Sequence, residues 1–280
     1  MIVSSFSEKG YATYGKAFIE GFLEHWKDET LVIYFESPID IEHPRLIKRD
    51  MMEIPDMDEL LRSMYESDEI FKGLRPTGKK SSDDKPELAY DYRFDAYRFC
   101  RKVMAVTHAA AVRENDERIA WLDADVVFHE TIPEGFLKTL IPDTTMLSYL
   151  GRPWAYTETG FVGFNPAYEG FDAFMGQYRS MYTTGAFRWL GHWHDCYVFD
   201  MVRMLFGAEG YDLAKGMNVE HPFISSQLGE YMDHLKGPER KQVGRSHQHE
   251  HIGVKKTAHW LNAGEQVQGI TDKDEQENVA

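Results

Sequence analysis

Cysteine is scarce in this chain: 280 residues contain two, Cys100 and Cys196. They lie far apart and match neither a zinc-ligand nor a thioredoxin spacing, so both read as reduced core thiols. Long apolar runs are missing as well. No stretch of about 18 apolar residues occurs, which excludes a transmembrane helix. Positive charge is in deficit, with 31 Lys and Arg against 46 Asp and Glu, a net charge of -15 and a pI near 5.2. Such a balance argues against a nucleic-acid backbone as principal partner, since that binding is driven by clustered Lys and Arg. An anionic ligand would need a metal or a local basic pocket. No leader is visible in the short apolar stretch Met1 to Phe6 or the polar SEKG after it, so the expected compartment is the cytoplasm.

What remains is ample for a core. With 42% hydrophobic and 14% aromatic residues the chain can form one large α/β domain, expected over residues 1–270, followed by a disordered acidic tail over 271–280. Its organising stretch is Arg118 to Phe128, RIAWLDADVVF. Ile119 to Leu122 read as a strand buried on both faces, and Asp123 and Asp125 stand where it runs out. In an open α/β sheet, ligands bind beyond the carboxyl ends of the strands, and two carboxylates one residue apart can share a divalent cation there. Asp-X-Asp occurs three times in the chain. Asp56 and Asp58 open an expected helix, with Asp56 and Glu59 as a capping box, and Asp272 and Asp274 lie in the tail; only the middle pair follows an apolar strand.

In chain order, a strand over 1–6, a helix over 14–26 and a strand over 31–35 make a β-α-β opening, which implies parallel strands and sets the loop Ser5 to Tyr14 at the same sheet edge as Asp123. Tyr11 and Tyr14 in that loop either stack on a base or face solvent. A helix is expected over 56–71, and residues 72–90 read as a mobile loop, their charge run Lys79 to Lys85 being solvated. Phe94 to Val112 is a strong helix whose Arg98, Arg101 and Lys102 could reach ligand phosphates or simply face water. A short helix over 133–141 precedes strands over 145–149 and 160–164. The segment GRPWAYTET between those strands mixes aromatics, small residues and Glu158, a composition suited to carbohydrate. A helix over 167–190 follows, and Asp195 then starts another, as an N-cap or first-turn residue or as a catalytic carboxylate. His234 opens HLKGPERK, which is either a basic turn or a third metal ligand followed by phosphate-binding cations; beside two carboxylates, a His suits manganese better than calcium. His247, His249 and His251 alternate in a polar stretch read as strand edge or loop, with adventitious metal binding as the alternative.

Taken together, the β-α-β start, the basic helix, the strand ending LDADVVF and the distant HLKGPERK resemble a glycosyltransferase of the A-type fold, in particular the glycogenin-like and bacterial galactosyltransferase-like group. That group carries Asp-X-Asp on the strand and a distant His-X-X-Gly-X-X-Lys. Here the first is Asp123 and Asp125. The second is His234, Gly237 and then Arg240, with Lys241 one step after the group's lysine. The resemblance spans about residues 1–245. It implies a single Rossmann-like domain with a mixed central sheet flanked by helices, and hexosyl transfer from a nucleotide sugar, uridine being the usual base, to a glycan or other acceptor. It further implies that Asp123, Asp125 and His234 hold Mn2+ or Mg2+. Lys236, Gly237, Arg240 and Lys241 would close over the diphosphate, while Ser5, Phe6, Tyr11, Lys102 and Asp123 contact the donor. Glu158 and Asp195 would face the sugar or the acceptor, either being able to serve an inverting enzyme as base, whereas the group itself retains configuration.

Two other readings fit some residues. DADVV matches the nucleophile motif of haloacid dehalogenase-type phosphatases, whose first Asp attacks phosphorus, yet that motif normally occupies the first strand and no later Gly-Asp-X-X-X-Asp follows. A binding module that keeps the fold without turnover is the other, since fold alone never establishes activity.

Overall fold

The computed structural model describes residues 1–80, 84–115, 117–207, 210–247 and 250. Strand β1 (Ile2–Phe6) leads into helix α1 (Glu8–Gly10), one π-helical turn (Tyr11–Gly15), helix α2 (Lys16–His25) and strands β2 (Leu31–Phe35) and β3 (Leu46–Asp50). Helix α3 (Met57–Ser67), strands β4 (Leu74–Lys80) and β5 (Pro86–Tyr90), helix α4 (Ala96–Ala111) and strands β6 (Ile119–Leu122) and β7 (Val126–Phe128) follow. Next come helix α5 (Phe136–Leu140), strands β8 (Leu147–Arg152) and β9 (Ala155–Phe164), and helices α6 (Phe171–Thr183) and α7 (Asp195–Leu205). Strand β10 (Tyr211–Asp212), helix α8 (Pro222–Ser225), strand β11 (Met232–His234) and helix α9 (Gly237–Val243) complete the order.

Seven strands form a mixed sheet in the order β10-β8-β9-β6-β1-β2-β3. β6, β1, β2 and β3 are parallel, β9 runs against both of its neighbours, and β10 is parallel to β8. Side chains alternate between two cores, as a strand buried on both faces requires. Ile119 and Trp121 join Val3 and Val162 against α3, α4, α6 and α7, while Ala120 and Leu122 join Ile2 and Phe161 against α2 and α5. Burying each large apolar side chain stabilises the fold by roughly 1.5–3 kcal/mol. Ser4 donates its hydroxyl to the Leu122 carbonyl at 2.6 Å, which pins the carboxyl ends of β1 and β6 side by side.

Local expectations were modified where a turn or a neighbour intervened. Helix starts at Glu8 instead of Tyr14, because the Ser7 hydroxyl accepts the Gly10 N–H and caps it; the expected loop Ser5 to Tyr14 is therefore mostly helical. Asp56 adopts a left-handed backbone (φ 69°) and makes no side-chain cap, so the Asp56–Glu59 capping box does not form. β4 and β5 pair as an antiparallel ribbon within the segment expected to be a loop. Helix α6 is shorter than the expected 167–190 and is followed by Gly185 at φ 73°, a conformation that favours glycine. His249, His251 and the tail lie outside the described residues.

Candidate metal centre and active site

The acidic pair is set by strand ends. After Leu122 the Asp123 N–H still bonds the Gly160 carbonyl of β9 at 2.9 Å, and the chain turns through Val126 N–H to Asp123 carbonyl at 3.2 Å. It re-emerges as β7, which pairs antiparallel with β11 so that His234 stands opposite Val126. That pairing brings a residue more than a hundred positions away beside Asp125. Gly160 makes room for it: a Cβ there would lie 2.4 Å from His234 Nδ1.

His234 is buried, and its Nε2 faces Asp125 Oδ1 at 3.1 Å and Asp123 Oδ2 at 3.5 Å. Its Nδ1 lies 3.0 Å from Glu158 Oε1, which also accepts Lys236 Nζ at 2.8 Å. A carboxylate behind the far ring nitrogen fixes the tautomer and orientation of a metal-binding histidine. The other oxygens of the pair are already engaged. Lys241 Nζ reaches Asp125 Oδ2 at 3.2 Å; Asp123 Oδ1 accepts from Lys102 Nζ at 3.0 Å and from Trp121 Nε1 at 2.5 Å. One donor atom from each of Asp123, Asp125 and His234 lies within 4.8 Å of the others, so two carboxylates and an imidazole suit one divalent cation.

Charge compensation sets the protonation states. Burial alone would lower the His234 pKa, but the Asp125 carboxylate and its hydrogen bond, the Glu158 bond and the Asp123 charge raise it to about 9 in the metal-free protein. Burial would raise Glu158, yet Lys236, nearby His221 and the bond from His234 hold it well below the usual carboxylate range. Asp125 is likewise depressed, His234 and Lys241 overcoming desolvation. Asp195 is lowered to about 2 because the Lys102 ammonium, at 2.8 Å, and the Thr159 hydroxyl outweigh its burial. Lys102 thus bridges Asp123 and Asp195, two carboxylates on different elements. His194, Asp195 and Cys196 also group their donor atoms within 4.8 Å, but the Lys102 ammonium seated on Asp195 makes that cluster the poorer host for a cation.

The structure brings Asp123, Asp125, His234, Lys236, Lys241, Lys102, Glu158 and Asp195 into one connected network. Others are placed elsewhere. Arg240 pairs with Glu250 and donates to the Lys236 carbonyl, leaving Lys241 as the cation at Asp125. Arg101 of the basic helix is held by Glu36 at 2.9 Å, so Lys102 is the basic α4 side chain that meets Asp123. Tyr11 stacks on Phe6 and donates its hydroxyl to Asp40, whereas the Tyr14 ring lies 5.3 Å from Lys241 Nζ. Ser5 pairs with Tyr34 of β2, within the carboxyl end of β1. Glu158 has no exposed side-chain area and stands behind His234, so it positions that ring where a sugar-facing carboxylate had been expected. Asp195 opens α7 as its first residue, with His194 in the capping position, and spends its carboxylate on Lys102 and Thr159. Gly237 takes φ 74° at the start of α9, the conformation that lets the chain turn from β11 to Lys241.

Sequence reasoning missed Gly160, Trp121, Thr159 and His221. His221 Nε2 meets the His234 carbonyl at 3.0 Å, and its Nδ1 lies 3.7 Å from Glu158 Oε2. Alternation along β9, which turns Thr159 and Glu158 to opposite faces, could have flagged Thr159; the histidine needs the tertiary fold.

Fold and site define a mixed α/β domain with a cluster able to hold a divalent cation at the carboxyl edge of its sheet. No family model matches the chain, and no curated protein matches it. Among solved structures it is similar to mouse xyloside xylosyltransferase 1 in the apo form, at 12% identity and a TM-score of 0.40, over 74% of this chain and 82% of that one. No helix among the described residues is long and apolar enough to cross a membrane.

Proposed function

We propose that the protein is a metal-dependent glycosyltransferase of the A-type fold that moves a hexosyl group from a nucleotide sugar, with uridine as the base, to a glycan or other hydroxyl acceptor. The observation that carries the reading is the convergence of Asp123, Asp125 and His234 from two distant strands, with Lys102 and Lys241 against the same carboxylates and Lys236 behind the histidine. Cleaving a sugar from a nucleoside diphosphate builds negative charge on the leaving group. A bound Mn2+ or Mg2+ would supply Lewis-acid stabilisation of that charge.

The chain's own residues do the rest. Asp123, Asp125 and His234 would hold the ion, and Glu158 holds the imidazole with Nε2 toward the aspartates. Lys241 and Lys102, each against one of the two aspartates, are the cations placed to meet a diphosphate held there, while Lys236 at the turn into α9 would have to leave Glu158 to reach it. Lys102 and Asp195 form the wall toward the sugar, their ion pair fixing both side chains. Both cysteines are free thiols, in keeping with the cytoplasm as the place of action. The test is incubation with Mn2+ and a panel of nucleotide sugars. Free nucleoside diphosphate supports the proposal; free inorganic phosphate, or no product with any donor, overturns it.

A further inference from the structure

A cavity of about 270 Å³ lies beside this site, on the same edge of the sheet. Its lining comes from β8, β9, α7 and the segment after β10, and includes Arg152, Thr157, Asp200, Arg203, Asp212 and Met217. β8 and β10 run parallel to β6 and β9 runs against it, so Arg152, Asp212 and Thr157 all sit toward the edge that carries Asp123. Thr157 precedes Gly160, the partner of Asp123, by three residues, roughly 10 Å along a strand.

The polar groups are ordered and balanced in charge. Asp200 accepts from the Thr157 N–H at 2.9 Å, from its hydroxyl at 2.6 Å and from Arg203 Nη2 at 3.1 Å. Asp212 accepts the Gly151 and Ala214 N–H groups, each at 2.9 Å, and Arg152 donates to the Tyr156 carbonyl at 2.6 Å. Arg203 Nε is buried without a hydrogen-bond partner among the described residues, its guanidinium lying 4.4 Å from the centre of the Tyr149 ring. At the rim, Pro153 and Ala155 line the cavity, and Trp154 between them is 73% exposed. Trp154 does not line the cavity but stands between two residues that do, and an exposed indole at the rim together with fixed carboxylates and guanidiniums inside matches a pyranose ring, which offers a C–H face for stacking and hydroxyls for both donors and acceptors. Two guanidiniums against two carboxylates favour an uncharged sugar.

We infer that this cavity, with Trp154 as its platform, is the acceptor subsite and takes a neutral pyranoside; the inference rests on the glycosyltransferase reading and gives its acceptor a chemical class. Saturation-transfer NMR with the methyl pyranosides of glucose, galactose, mannose, xylose and N-acetylglucosamine, in Mg2+ and uridine diphosphate, tests it. At least one should bind; Trp154→Ala should weaken it by about three- to tenfold, and Met217→Trp, which fills the cavity, should abolish it. Uridine diphosphate affinity, measured by calorimetry, should be unchanged in both variants. Should Met217→Trp lower the melting temperature, Trp154→Ala decides, since its side chain is mostly in solvent. The inference is overturned if no pyranoside binds, or if binding survives undiminished in Trp154→Ala. If a pyranoside binds as described while the diphosphate does not bind the parent protein, the subsite stands and the glycosyltransferase reading falls.

Discussion

Protons and metal ions should compete for His234, and the structure sets the scale of the competition. In the metal-free protein its imidazole is charged up to about pH 9, because Asp125, Glu158 and Asp123 surround it and outweigh desolvation. A metal needs the neutral ring, so binding must release that proton. Below pH 9 the apparent Mn2+ affinity should therefore fall about tenfold for each pH step of one, leaving it on the order of a hundredfold weaker at pH 7 than at its plateau. The same rise, from 6.5 to about 9, stabilises the metal-free fold by on the order of 3 kcal/mol. Its sign is that of a raised histidine: full stabilisation below pH 6.5, lost as pH climbs through 9. Melting curves without metal should fall over that window, while melts in saturating Mn2+ should not. Free Mn2+ can be followed by electron paramagnetic resonance from pH 6.5 to 9, and proton release in weakly buffered solution. An affinity that is flat across this range, or binding without release of close to one proton at pH 7, would refute the assignment of His234 as a ligand.

Three further outcomes follow from the same contacts. Asp125→Ala should reduce donor turnover to background and also lower the metal-free melting temperature below pH 9, since it removes the carboxylate that chiefly holds the buried His234 charge; near-normal turnover sinks the metal reading. Gly160→Ala should weaken Mn2+ binding by about 10–100-fold, because its Cβ would meet His234 Nδ1 at 2.4 Å and turn the ring from the aspartates; titration of the purified variant checks this. Asp195→Asn should lower sugar transfer on the order of a hundredfold or more with diphosphate affinity little changed. It should also flatten acid unfolding, because the ionised Asp195 stabilises the fold above about pH 4 and that contribution is lost as pH falls through about 2; unchanged turnover removes Asp195 from the site.

What could be read from the chain was local in origin. The strand 119–122 and the carboxylates ending it are legible because a run buried on both faces, followed at once by two charges, has few other homes than the edge of a parallel sheet. Helix α4 was legible for the same kind of reason, its apolar face recurring at helical spacing, whereas the Asp95 cap at its start is seen only in the structure. GRPWAYTET was misread as a connection because Pro153 and Trp154 suggest a loop, whereas Arg152 and Ala155 on either side pair across a tight hairpin that carries β9 down to Glu158.

The contacts of Glu158 and Arg240 are made with partners that no local pattern names. A carboxylate in an aromatic-rich segment is as compatible with meeting a sugar as with backing a histidine, and only the pairing of β7 with β11, together with a glycine at 160, puts His234 Nδ1 against it. Likewise, Arg240 and Lys241 stand next to each other with the same charge, and a helix separates neighbouring side chains by about 100°. One of the two must therefore face away from Asp125. Glu250 takes the guanidinium, which leaves Lys241 for the acidic pair. The sequence marks HLKGPERK as basic, and the helix phase of α9 selects which of its cations reaches the acidic pair.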